Sequence, residues 1–301
     1  MQDFNSLFDM MEAFPTEQHA IDHLREIRWG KDDVNAHCPH CGSTKVYHFS
    51  DNKNHKCGDC RKRFSIKVGT IFEDSKIQLR KWFMAIWLVT SHKKGIASTT
   101  LAKDIKVTQK TAWFMLHRLR HAAETKSFNA PLDGDVEVDE TYIGGKSKNM
   151  HKKDRKARKQ YKNKSTVAGA IKRDGELRAA HVTRVGIVGH VYENISKEAR
   201  VITDRAQYYK HLKNEYNHHS VDHSAGEYVR DDIHTNSIES VWALFKRQVN
   251  GTHHWVSKKH LQAYVNEMTW RFNRRDHEEG ERVNSLLNQV QGRLTYKELT
   301  A

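Results

Sequence analysis

The chain has 301 residues, 37% hydrophobic and 29% charged, with 51 Lys and Arg against 37 Asp and Glu for a formal net charge of +14. That length points to two or three domains, the spread of Ile, Leu, Val, Trp and Phe along it excludes a disordered polyelectrolyte, and the positive excess favours a polyanionic partner, nucleic acid first. The longest apolar run, "WFMAIWLV" at 82–89, is far short of a membrane span, and "MQDFNSLFDMMEAF" lacks the basic start and apolar block of a signal peptide, so a cytosolic chain with reduced cysteines and no membrane partner is expected.

The first expected element is a helix: Ala20, Ile21, Leu24 and Ile27 recur at helical spacing after Pro15 and a cap at Thr16. Then come all four cysteines, Cys38, Cys41, Cys57 and Cys60, as "CPHC" and "CGDC" with fifteen residues between the pairs. Each C-x2-C turn aims two thiolates at one point, and two such turns complete a tetrahedron around one structural Zn2+. A segment this small buries too little apolar surface to fold alone, so the metal should supply much of its folding energy. His37, His40 and His55 lie nearby, but four thiolates already fill a closed site. "STKVYHFSDNKNHK" reads as a hairpin and "KRFSIKVGTIF" as further strand, together a zinc ribbon.

After the ribbon, Leu79, Trp82, Phe83, Ile86, Trp87 and Thr90 mark an amphipathic helix whose aromatic stripe belongs to a core. In the segment from Gly95, Leu101 and Ile105 fit a short helix, Val107 and Thr108 a turn and cap, and Ala112, Leu116, Leu119 and Ala123 a longer helix. This is the pattern of a helix-turn-helix, and equally of a plain helical hairpin. In the first case Gln109, Lys110 and Thr111 open the recognition helix, where base edges are met.

Pro131 and Gly134 mark a boundary, and the period then changes. "DVEVDETYI", "STVAGAIK", "ELRAAHVT" and "ARVITD" read as strands, with an Asp174-Gly175 turn joining the second and third. "GHVYENISKE" reads as a helix. A helix from about Ala206, a loop rich in His and Asp, and two helices at Ser237 to about Val249 and Lys258 to about Phe272 follow. The expected order is that of a mixed α/β domain. Residues 146–164 interrupt it with ten Lys or Arg against one Asp, a local charge of +9. Such a run reads as a loop, with Lys152, Lys153, Arg155 and Arg158 placed for salt-dependent phosphate contact.

Five acids then call for an explanation. Glu137 and Asp139 share one face of the first strand while Glu140 points away. Asp204 closes the buried strand "VITD", and Glu239 stands on a helix with Lys246 on the same face. Two strand-end aspartates and a helical glutamate are the hard oxygen donors that a pair of divalent cations takes for phosphoryl transfer.

The run of zinc ribbon, "EVDETYIGGK", "VITDRAQYY", "HTNSIESVWALFKR" and "FNRR", over about residues 15–280, resembles insertion-sequence transposases of the IS1595 type (ISXO2-like). The resemblance implies a multi-domain α+β chain. It would comprise an N-terminal helical segment (1–33), a zinc ribbon (34–73), a helix-turn-helix-like region (74–130), an RNase H-like DDE catalytic domain (131–280) and a C-terminal tail (281–301). It puts the family's first two aspartates on Asp139 and Asp204. The third position varies among relatives between Glu, Asn and His; Glu239 is the best match because Lys246 follows at the expected interval, with Asn236 and His234 as the other candidates. Two Mg2+ or Mn2+ ions would sit there, and Lys246, Arg247 and Arg205 would hold phosphates. Trp242 and Trp255 could stack on unpaired bases. The implied partners are double-stranded DNA (terminal repeats and target) and further copies of the chain, in a prokaryotic cytoplasm at the nucleoid. Rival readings are a catalytically inactive DNA-binding regulator derived from a transposase, a nuclease of the same fold, and a tyrosine recombinase using Tyr208 or Tyr209.

Overall fold

The computed structural model describes residues 4–124, 130–144, 164–222, 225–227 and 229–301. Its elements divide into two units, Met1–Glu124 with Asp276–Ala301, and Thr125–Arg275.

The first unit begins with α1 (Leu7–Ala13), whose N-terminus is closed by a reciprocal box between Ser6 and Asp9, and α2 (Glu17–Trp29), which buries Ala20, Ile21 and Leu24 as their spacing required. Strands β1 (Val46–His48), β2 (Asn54–Cys57) and β3 (Arg63–Ser65) form an antiparallel ribbon in that order, with Val46 opposite Cys57 and Asn54 opposite Ser65. The strand expected through "KRFSIKVGTIF" stops at Ser65. Gly69 turns the chain at φ 77°, and Ile66, Ile71 and Phe72 enter the core from turns instead. Helix α3 (Leu79–Ser91) starts on the Glu17 carboxylate, which accepts the N–H groups of Leu79 at 2.8 Å and Arg80 at 3.0 Å. Helices α4 (Ser98–Asp104) and α5 (Gln109–Ala122) are the expected short and long pair, turning through Lys106 at φ 52°.

The second unit is a five-stranded mixed sheet. Strands β4 (Asp135–Gly144), β5 (Lys164–Lys172) and β6 (Leu177–Val182) form an antiparallel meander. After α6 (Gly186–Asn194), β7 (Arg200–Asp204) lies parallel to β4, and β8 (Asn217–Val221) parallel to β7, giving the order β6-β5-β4-β7-β8. Both faces are covered. On one, Val167 and Ile171 meet α7 (Asn236–Arg247) and α8 (Leu261–Phe272) through Ile238, Trp242, Phe245, Val265 and Met268. On the other, Val136, Val138 and Ala170 pack on Ile187 and Val191 of α6 and on Tyr209 and Leu212. This is the layout expected of an RNase H-like domain.

Three expectations change in detail. Strand β8 falls in the segment read as a loop; it is a polar sheet edge with only Val221 buried, so it carries almost no apolar signal. The segment after Ala206 is a 3-10 helix, Gln207–Asn214, and α7 runs into a π-helical turn at Gln248–His253. Residues 281–301, read as a tail, belong to the first unit: α9 (Glu279–Asn288) buries Val283, Leu286 and Leu287, Gln291 pairs with Thr70, and α10 (Tyr296–Thr300) follows. Arg118, 5% exposed, ties this return to α5 by donating to the carbonyls of Ile71, Glu73 and Leu294. No helix among the described residues is long and apolar enough to cross a membrane.

Candidate active site

Strand alternation sets the site. On β4, Val136, Val138 and Glu140 face α6 and the tyrosines, while Glu137 and Asp139 face α7. Glu137 is fully buried. Its carboxylate accepts the backbone N–H groups of Ser237 at 2.8 Å and Ile238 at 3.1 Å, the Ser237 hydroxyl at 3.0 Å and Arg173 Nε at 3.1 Å. An acid here meets both the unpaired N–H groups and the positive end of the α7 dipole. Arg173, from the turn after β5, also donates to the carbonyls of Asp232 at 2.7 Å and His234 at 3.2 Å, fixing the approach to α7. Glu137 is therefore a clamp between β4 and α7. His234 Nδ1 stands 3.3 Å from it, turned toward the clamp.

The same strand then delivers Asp139. Val138 pairs with Thr203 across the parallel β4–β7 ladder, so the next residues, Asp139 and Asp204, stand side by side where β7 ends. Asp204 Oδ1 accepts the Ala206 N–H at 3.1 Å. Burial, with the charges of Glu140, Asp204 and Glu239 around it, pushes the Asp139 carboxyl up to about 8. Glu239 lies on the first turn of α7 and accepts the Thr235 hydroxyl at 2.8 Å. The fold thus brings Asp139, Asp204 and Glu239 into one electrostatic group, with Asn236 exposed at the start of α7 and Lys246 and Arg247 exposed at its end. These donors fit a hard divalent cation in kind: mutually repelling carboxylates on a half-buried surface, the repulsion of which a cation would relieve. Their spacing is looser than that of an assembled ion site. Among the described residues, only the four cysteines are gathered tightly enough to hold an ion as they stand.

Behind Asp139, Glu140 accepts hydroxyl hydrogen bonds from Tyr208, from Tyr209 at 3.0 Å and from Tyr142 at 3.4 Å. Burial and Glu140 raise Tyr208 and Tyr209 well above the usual phenol range. Tyr209 is 1% exposed. Phenols so held are poor nucleophiles, which argues against the recombinase reading.

In the ribbon, the four Sγ atoms lie within 4.8 Å of one another, with Cys38 to Cys60 and Cys41 to Cys57 each 3.6 Å apart. That is too far for a disulfide and suits four thiolates at about 2.3 Å from one zinc. His55 is no ligand: it is buried edge-on to Trp29 and near Phe64, and burial, with His48 beside it, pulls its pKa down to about 4.

The candidate DNA contacts fare unevenly. Gln109 donates to Ser98 Oγ at 2.9 Å, Lys110 Nζ lies 5.1 Å from the centre of the Tyr296 ring, and Thr111 joins the Thr108 cap at 2.8 Å. All three are at least partly exposed at the start of α5. Arg205 pairs with Asp222 at 2.7 Å. Lys152, Lys153, Arg155 and Arg158 lie outside the described residues. Trp242, 2% exposed, is core, and Trp255, 68% exposed, is not. The sequence reading missed Arg173, Thr235 and the clamping role of Glu137; the Asp174-Gly175 turn was the one available signal, since it sets Arg173 beside the start of β4.

Residues 131–273 match the ISXO2-like transposase domain, and residues 15–63 match the transposase zinc-ribbon domain. Over 275 residues, 85% of this chain and 90% of the relative, the sequence is 28% identical to the "Uncharacterized protein in transposable element ISH50" of Halobacterium salinarum (strain ATCC 700922 / JCM 11081 / NRC-1). No solved structure matches the chain.

Proposed function

Because this chain belongs to the ISXO2-like (IS1595) transposase family, with a transposase zinc ribbon at its head, we propose that it cleaves the ends of its own insertion sequence and joins the freed 3′ ends to target DNA. The observation that carries the reading is Asp139 beside Asp204 at the end of the β4–β7 ladder, its carboxyl raised to about 8 by burial and by the acids around it.

Mg2+ or Mn2+ held by Asp139, Asp204 and Glu239 would supply Lewis-acid stabilisation of the phosphodiester oxygens and an activated water. The chain's own residues provide the rest. Glu137 and Arg173 hold α7 against β4, so that Glu239 faces the aspartates. Thr235 fixes the Glu239 rotamer, and Lys246 and Arg247 bind phosphates along α7. Zinc in the ribbon is structural. The ribbon and the α4–α5 pair grip the duplex repeats, with Gln109, Lys110 and Thr111 at the base edges. Two element ends must be held together, which calls for at least two copies of the chain on DNA, in the cytoplasm of a prokaryote.

The test is to incubate the zinc-loaded protein with DNA flanking its gene in Mg2+ or Mn2+, beside Asp139→Ala and Asp204→Ala variants, and to map 3′ ends and joined products. Metal-dependent cuts at a repeat boundary, absent from both variants, are expected. Binding without cuts would favour the inactive regulator, and cuts without joined products a nuclease.

A further inference from the structure

The β4–β5–β6 meander carries a cleft of about 780 Å3 whose walls, among the described residues, hold Lys164, Arg184 and Lys258 and no carboxylate. The three cations come from separate elements: the start of β5, the residue two after β6, and the turn that leads into α8. Among the described residues no ion pair ties any of them to an acid. Their field is felt locally. Burial and then Lys258 hold His181, on the same wall, below the usual imidazole range. Hydroxyls of Tyr142, Thr166 and Thr183 also line the space.

Two further observations say what kind of polyanion suits it. The volume is that of a pocket for one small ligand, and duplex DNA is read the other way round, by protein elements entering its grooves. An unpaired strand does fit a concave basic track and favours an aromatic platform beside it. Trp255, three residues before Lys258, is the one exposed tryptophan among the described residues. The cleft reaches β4 on its Glu140 side, since the Tyr142 hydroxyl on its wall donates to Glu140.

We propose that this cleft binds an unpaired DNA strand, with Lys164, Arg184 and Lys258 on its phosphates and Trp255 stacked on a base. That the strand belongs to the element's DNA rests on the transposase reading; the binding rests on the cleft alone.

The experiment compares a labelled oligothymidylate with a duplex of equal length by fluorescence anisotropy over a salt series. It uses full-length zinc-loaded protein and the variants Arg184→Glu/Lys258→Glu and Trp255→Ala. The double variant should lower the ratio of single-strand to duplex affinity by about fivefold or more, and flatten the single-strand salt slope by about 1.4, as loss of two phosphate contacts requires. Trp255→Ala should weaken the single strand by roughly fivefold and leave the salt slope unchanged. An unchanged ratio in the double variant, in protein with wild-type melting, would overturn the proposal. Cleavage of flanking DNA measured in parallel separates the two ideas. Cuts with an unchanged ratio sink the cleft and keep the transposase, and a lowered ratio without cuts does the reverse.

Discussion

The Glu137 carboxylate receives the backbone N–H of Ser237 at 2.8 Å, across one hundred residues of chain. That bond joins the strand bearing Asp139 to the first turn of the helix bearing Glu239, so the relative position of the two acids depends on a third acid. Glu137→Ala leaves Arg173 and two helix N–H groups without their buried acceptor. It should cost about 3 kcal/mol in chemical denaturation and slow cleavage more than DNA binding. Glu137→Gln keeps one acceptor oxygen and should fall between. Wild-type cleavage by the alanine variant would show that α7 does not need the clamp.

The raised Asp139 carboxyl makes stability depend on pH. Folded protein holds this proton up to about pH 8, whereas the ordinary value is 3.8. Between these values the native state binds more protons than the unfolded chain, so stability falls as pH rises, and the penalty is complete above the folded value. In Mg2+-free buffer Asp139→Asn should therefore match wild type at about pH 4 and exceed it by several kcal/mol at about pH 9. Added Mg2+ should stabilise wild type and not the variant. A wild-type advantage at alkaline pH without Mg2+ would contradict the electrostatic description of this site.

Gly169 lies opposite Asp139 in the β4–β5 ladder, and a Cβ there would stand 2.6 Å from Trp242 Cζ2. Gly169→Ala should push α7 off the sheet, cost about 1–3 kcal/mol and lower cleavage. Trp242→Leu in the same chain should restore part of the stability, which a double-mutant cycle would measure. Additive losses in that cycle would mean that the contact is not what limits the approach of α7.

The thiolate set should hold one zinc per chain. Cys57→Ser should lose it and expose the ribbon to proteolysis, because the three short strands bury too little without the metal. Element-end binding should fall with it, while the pH profile of the Asp139 unit stays as in wild type. Less than one zinc in reduced wild-type protein by metal analysis would remove the structural role assigned to it.

The local features were legible in the residues. Two C-x2-C turns need only their own backbone to aim four sulfurs, and the four Sγ atoms do converge. Period-2 alternation placed Asp139 and Glu137 on one face and Glu140 on the other, and "VITD" placed an acid at the end of a buried strand. The four acids were thus visible as candidates, because each announces itself within a few residues. Their division of labour was not. Glu137 and Asp139 have the same charge, the same face and the same strand, two positions apart. One meets the N-terminus of α7 and Arg173 and becomes a clamp, while the other meets Asp204 and takes up a proton. Strand β8 and the C-terminal return escaped notice for a related reason: an edge strand needs little apolar patterning, and a stripe of Val283, Leu286 and Leu287 does not name the surface it will cover. Periodicity is set by bond geometry within one element. The choice of partner is set by which distant N–H group, cation or apolar face the register of the sheet brings within reach, and that register exists only in the folded chain.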